Sequence, residues 1–213
     1  MSDPPGMVID MPPRIDSLVD QLVSLGDLVG ELASSVASAP GPDLAGDPRT
    51  RTDDRLRSLL VGLERVRNAA EAAQAHVMVA LADEARELDR AEFAASGAPS
   101  RSHAEFVADE IGVLVACTKG AASRRYGLAV RSAWFPSVVR AWRTGEIDAR
   151  KAQVIVDEVS PLADVEVMGG LSPQEVARVT DALADAATEH ARGHTPTETR
   201  RNVSESRSSA TLV

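Results

Sequence analysis

Cysteine is nearly absent from this 213-residue chain: Cys117 stands alone, so no disulfide can close within it and no cysteine-based zinc site can be assembled. Aromatic residues are almost as scarce, at 3%, and no stretch alternates apolar and polar residues as a half-buried strand would. No segment approaches the roughly 20 consecutive apolar residues that span a bilayer, and MSDPPGMVIDMPP lacks a basic leader followed by an apolar run. A soluble, cytoplasmic protein with no membrane partner is the expectation. Glycine-rich phosphate loops and G-x-S-x-G elbows are also missing, so nucleotide and ester hydrolysis find no support and no cofactor is expected.

Alanine, Val, Leu, Glu and Arg fill the space these absences leave, a composition that favours helices. From Ile15 to Val36 the apolar residues repeat every seven, with Ile15, Leu22, Val29 and Val36 at one position and Leu18, Leu25 and Leu32 at the other. The segment 14–38 therefore reads as an amphipathic heptad helix, although Gly26 and Gly30 weaken it. Packing on its own chain is the simpler reading of that seam, and a homodimer through these N-terminal heptads is the alternative. Residues 1–13 are expected to be disordered and 39–51, rich in Pro and Gly, to form a flexible linker.

The rest, 52–201, reads as one helical domain. A long helix from about Asp53 to Leu88, capped by Thr52, has a heptad-like seam of Leu56, Leu59, Leu63, Val66, Ala70, Ala73, Val77 and Ala80. Ser102 and Glu105 form an S-x-x-E capping signal for the next helix, which stops near Cys117, and Thr118 caps the one after. Pro136 opens a short helix that Gly145 ends, Asp148 caps another, and Ser172-Pro173 and Thr195-Pro196 start two more. The serine-rich end, 202–213, is expected to be a disordered polar tail. The fold class that follows is all-α: an elongated helical bundle with a long central helix and a helix-turn-helix-like hairpin.

Charge is distributed unevenly. The chain carries 23 Lys and Arg against 32 Asp and Glu, a net −9. Between Lys119 and Lys151, however, eight cations (Lys119, Arg124, Arg125, Arg131, Arg140, Arg143, Arg150, Lys151) meet only Glu146 and Asp148, a local +6 that leaves −15 for everything else. Positive charge concentrated on an acidic body marks a phosphate-facing surface. Lys119, Arg124, Arg125 and Arg131 are the candidate contacts, because the start of the second hairpin helix presents backbone N–H groups and cations together. The plain alternative is an αα-hairpin with solvated arginines. Trp134, Phe135 and Trp142 lie in the same window, where aromatics can stack on bases, but the spacing of Phe135, Val138, Val139 and Trp142 favours a core role.

GAASRRYGLA, followed by FPSVVRAWRTGEIDARKAQVIVDEV, resembles the actinobacterial 13E12-repeat family, whose N-terminal region is domain of unknown function 222. Ala121 to Arg125, then Ala141, Gly145, Glu146 and Ile147, then Ala152, Val154 and Ile155 carry the likeness, which extends over about Leu56 to Arg201. It implies a helical region that in full-length members continues into an HNH nuclease domain. An HNH site needs a ββα-metal unit, and none of His76, His103, His190 or His194 has that setting. His190 and His194 are an i,i+4 pair with a possible metal-clamping spacing, but Gly193 and Thr195-Pro196 interrupt the helix there, and no metal site is assigned. Three readings stay open at this point: a nucleic-acid-associated module with DNA as partner, a structural or oligomerisation module that binds none, and the truncated product of a full-length HNH endonuclease.

Overall fold

A computed structural model describes residues 15–37, 48–97, 102–163 and 172–210. Within them the chain forms α1 (Ile15–Ala37), α2 (Pro48–Ser96), α3 (His103–Leu114), α4 (Lys119–Ser132), α5 (Pro136–Arg143), α6 (Ala149–Val159), a 3₁₀ turn (Ser160–Ala163), α7 (Pro173–Arg192) and α8 (Pro196–Ala210). No strand occurs among the described residues, so the all-α bundle is what the sequence pattern implied. No helix among them is long and apolar enough to cross a membrane. The expected N-terminal segment 1–13 and most of the expected linker lie outside the described residues.

The 49-residue α2 is the spine, roughly 70 Å long at 1.5 Å per residue. It is longer at both ends than its expected span. Its first turn takes Pro48, which tolerates that position, so residues 48–51 are helix rather than linker. Beyond Leu88 the Ala-, Glu- and Arg-rich sequence continues the helix until Gly97, at φ 76°, ends it with a bond from its N–H to Phe93 O at 2.8 Å. The packed stripe also differs from the expected seam. Asn68, Ala69, Ala72, Ala75, Met78, Ala82 and Ala85 are buried, while Val77 and Leu63 are exposed and Ala70, Ala73 and Ala80 lie half-buried. Alanine occurs on every face of this helix, so hydrophobic period alone does not select the stripe. The side chosen is the one where small residues let α3, α4 and α5 approach closely.

The innermost element is α6, only 11 residues long. Ala152, Val154, Ile155, Val156 and Val159 are all buried, and α4, α5, α7 and α8 surround it. Asp148 caps it, accepting from Lys151 N at 2.8 Å. Before it, α5 ends in a paired-bond C-cap. Glu146 N donates to Ala141 O at 2.9 Å and Gly145 N to Trp142 O at 3.0 Å, with Gly145 at φ 71°. A Cβ on Gly145 would stand 2.3 Å from Arg65 O, so this turn rests directly on the α2 backbone. Phe135, Val138 and Trp142 fill the core, in keeping with their spacing.

Two further expectations are corrected. Ser102 makes no side-chain cap on α3. Asp89 of α2 does so instead, accepting from His103 N at 2.6 Å, Ala104 N at 3.1 Å and Ser102 Oγ at 2.9 Å. Burial raises the Asp89 carboxyl, and these three hydrogen bonds outweigh it and leave the group below its ordinary value. The C-terminal residues 202–210 form helix rather than a disordered tail. Val203 is fully buried four residues after buried Thr199, and Glu158 of α6 holds Arg200 at 3.6 Å and Arg207 at 3.3 Å. One apolar side chain at the right helical spacing, with paired arginines, is enough to continue α8 through a polar sequence.

Candidate nucleic-acid interface

Helices α3 and α4 form the hairpin, joined through residues 115–118. The junction is a left-handed C-cap carried by an alanine. Ala116 sits at φ 51°, Cys117 N donates to Gly112 O at 2.9 Å, and Ala116 N to Val113 O at 3.3 Å. Gly112 is buried where α4 arrives, a Cβ there falling 3.5 Å from the Ala122 Cβ. Thr118 then caps α4, its Oγ1 accepting from Ala121 N at 3.3 Å, and no acid occupies the first turn. Ala122, Leu128, Ala129 and Ser132 are buried, which leaves Lys119, Gly120, Ser123, Arg124 and Arg125 on the exposed part of the helix start.

The four candidate cations fall into two kinds. Arg124 and Arg125 are exposed and have no carboxylate partner among the described residues. Lys119, though exposed, donates to Asp109 of α3 at 2.9 Å and ties the two arms of the hairpin. Arg131 belongs to the scaffold. Its Nε donates to Gly127 O at 3.2 Å and its Nη1 to Asp157 of α6 at 2.7 Å, and Gln153 donates to the same carboxylate oxygen at 2.6 Å. The structure therefore places Arg131 in an α4–α6 clamp, and Asp109 and Asp157, both outside the set of acids counted in the basic window, take two of its eight cations.

Four other cations of the window frame the α5–α6 turn: Arg140 and Arg143 in the last turn of α5, and Arg150 and Lys151 in the first of α6. The window's own acids leave them alone. Glu146 accepts from Arg192 of α7 at 2.7 Å, and Asp148 is spent on its cap. Arg143 faces the middle of α2, where burial first and the Arg143 charge second hold the His76 imidazole below its ordinary value.

A cleft of about 410 Å³ between α2 and α3 is lined by Leu81, Leu88 and Phe106 together with Glu84 and Glu110, carboxylates that repel an anion. His103 at its edge is raised by its hydrogen bond to Glu92. His190 and His194 stack with ring centroids 3.8 Å apart and 8° between planes. The lone pairs of stacked rings lie in parallel planes and do not converge on one cation. Among the described residues no three His, Cys, Asp or Glu side chains are grouped to hold a metal ion.

Comparison with curated proteins and with solved structures gave no match. A family model, domain of unknown function 222, matches residues 63–194. That span runs from the first half of α2, through the hairpin and the buried α6, to the end of α7. It covers more than half of the 213 residues, and the chain belongs to the domain of unknown function 222 family.

Proposed function

We propose that this chain is a nucleic-acid-associating helical module of the kind that precedes an HNH nuclease domain, with DNA as its polyanionic partner. One observation carries the reading: Arg124 and Arg125, consecutive in sequence, are both exposed in the first half of α4, without a carboxylate partner among the described residues, on a chain whose net charge is −9. An acidic body that leaves two consecutive exposed arginines unneutralised in the first half of a helix, with the Arg124 guanidinium reaching back to the first turn at Gly120, has the features of a phosphate contact. Lys119 joins them when its surface pair with Asp109 opens, because exposed pairs contribute little. Arg131 supports the site by fixing α4 on α6.

Fluorescence anisotropy with duplex and single-stranded DNA across a salt series tests this. Each phosphate contact contributes about 0.9 to the slope of log K against log salt on duplex. Arg124→Ala/Arg125→Ala is expected to flatten that slope by about two and to weaken binding without lowering the melting temperature. An unchanged affinity and slope would remove α4 from the interface.

A second reading, a self-associating structural module that binds no DNA, is favoured by a different observation. Leu22 and Val29, both on the first heptad position of α1, are 63% and 48% exposed, and Leu56 and Leu60 of α2 are exposed as well. A homodimer is the partner this implies.

A further inference from the structure

Helix α1 touches the body through α2. On a projection at about 100° per residue its surface divides into three arcs. Leu25, Leu28 and Leu32 are half-buried on the side facing α2, where Leu32 lies against Gly62. Asp20, Asp27 and Glu31 form a second, exposed acidic arc. The third arc, Val19, Leu22, Gly26, Val29, Gly30 and Ala33, is exposed along its length.

Resting on the self-association reading, we infer that the third arc is the contact face for a second copy of this chain, and that it seats against the partner's α2 with the partner leucines over Gly26 and Gly30. Apolar area is the first reason. Val19, Leu22, Val23 and Val29 of α1 and Leu56, Leu60 and Leu63 of α2 are each about half exposed or more. They leave on the order of 500 Å² of apolar surface, at the upper end of what a monomer tolerates and a large part of the roughly 800 Å² per partner that a standard interface buries.

Charge selects the occupant. α1 holds four acids and no Lys or Arg, a charge of −4, whereas α2 from Asp54 to Glu71 holds four arginines against Asp54, Glu64 and Glu71, a charge of +1, with Arg57 on Asp54 and Arg67 on Glu64 in exposed pairs that open at little cost. A two-fold pair in which each α1 meets the other copy's α2 brings opposite charges together twice and uses the same surfaces on both copies. The glycines fit the same arrangement. Glycine is the poorest helix former after proline, yet Gly26 and Gly30 lie inside α1, and a Cβ built on either meets nothing within 4 Å. Nothing among the described residues asks for them. Small residues four apart create a hollow that allows a partner helix to come close.

Sedimentation equilibrium of the full chain over a concentration series decides the matter, with Gly26→Leu/Gly30→Leu as the first variant. In a monomer the substitution fills open space and strengthens the helix, so circular dichroism should hold or rise. In the proposed dimer it fills the hollow, and the dissociation constant is expected to rise at least about tenfold. Leu60→Gln/Leu63→Gln, changed at exposed positions of α2, is expected to weaken the dimer likewise and serves as the check if the glycine variant loses helix. A wild-type chain that stays monomeric overturns both the self-association reading and this interface. A wild-type dimer whose dissociation constant is unmoved by the variants overturns the interface alone.

Discussion

Gly145 offers the sharpest test of how the α5–α6 turn is held. Substituting alanine there has two separable costs. A non-glycine residue at φ 71° carries a left-handed penalty of about 1–2 kcal/mol, offset by roughly 0.5–1 kcal/mol because alanine has less freedom to lose on folding. The second cost is steric. The new Cβ would lie 2.3 Å from Arg65 O, over an ångström inside ordinary contact, and 2.8 Å from Arg65 C and Cα, against helix backbone that cannot rotate away. Forcing the turn off α2 adds about 1–3 kcal/mol of overpacking and disturbs buried Ile147 and Trp142. Gly145→Ala is therefore expected to cost about 3 kcal/mol, against about 1 kcal/mol or less for Gly97→Ala, which has nearly the same φ, 76°, but open space around its Cβ. Urea denaturation followed at 222 nm compares them, and the difference corresponds to roughly 4–8 °C in melting temperature for a chain of this size. Equal losses in the two variants would refute the claim that the turn presses on the spine.

Ala116→Gly relieves the left-handed strain in the hairpin turn and should stabilise the chain by up to about 1 kcal/mol; a loss of stability in the melting curve would show that the alanine methyl is needed where it stands. Val203→Ala should cost about 2 kcal/mol, since Val203 is 0% exposed and its removal leaves a cavity beneath α8. A neutral result in denaturant titration would mean that α8 does not stay docked beyond Arg201. His76 binds its proton less readily folded than unfolded, because of burial and then Arg143. Its contribution to stability is present above the ordinary value of 6.5 and is lost as pH falls through the depressed folded value. The melting temperature of His76→Gln should accordingly vary less than the wild type's over that range. His103 runs the other way, supporting the fold below 6.5 and ceasing to do so as pH rises through its raised folded value, so both profiles are best recorded in a His103→Gln background.

Much of the helical order was legible because its signals are local. Thr118 and Asp148 cap the helices they were expected to cap, Ser172-Pro173 starts α7 as expected, with Glu175 completing its capping box, and Gly145 takes the left-handed turn. Ser102 shows the limit of such reasoning. The S-x-x-E signal is present, but Asp89 lies beside the helix start in space and offers both carboxylate oxygens, and a charged acceptor outcompetes a hydroxyl for those N–H groups. The packed face of α2 fails for a different reason. With alanine at Ala69, Ala70, Ala72, Ala73 and Ala75, every candidate stripe is about equally apolar, and the helices that arrive from later in the chain decide between them.

The charge pattern was readable as a local excess, yet which cations are available depends on partners distant in sequence. Arg131 and Arg124 are seven residues apart on α4, close in helical phase, and equal in formal charge. Only the position of Asp157, 26 residues after Arg131, separates a clamp from an unpaired guanidinium. The same holds for Lys119 and Asp109 across the hairpin turn. A basic window in a helical bundle therefore states an upper bound on usable positive charge, and packing against acidic helices lowers it. In this chain the reduction leaves Arg124 and Arg125 on α4, with Lys119 held only by an exposed pair, and the four cations around the α5–α6 turn. A duplex that engages both groups would lose more of its salt dependence when Arg140, Arg143, Arg150 and Lys151 are also neutralised than from α4 alone. A slope that is unchanged by the second set confines any contact to the start of α4.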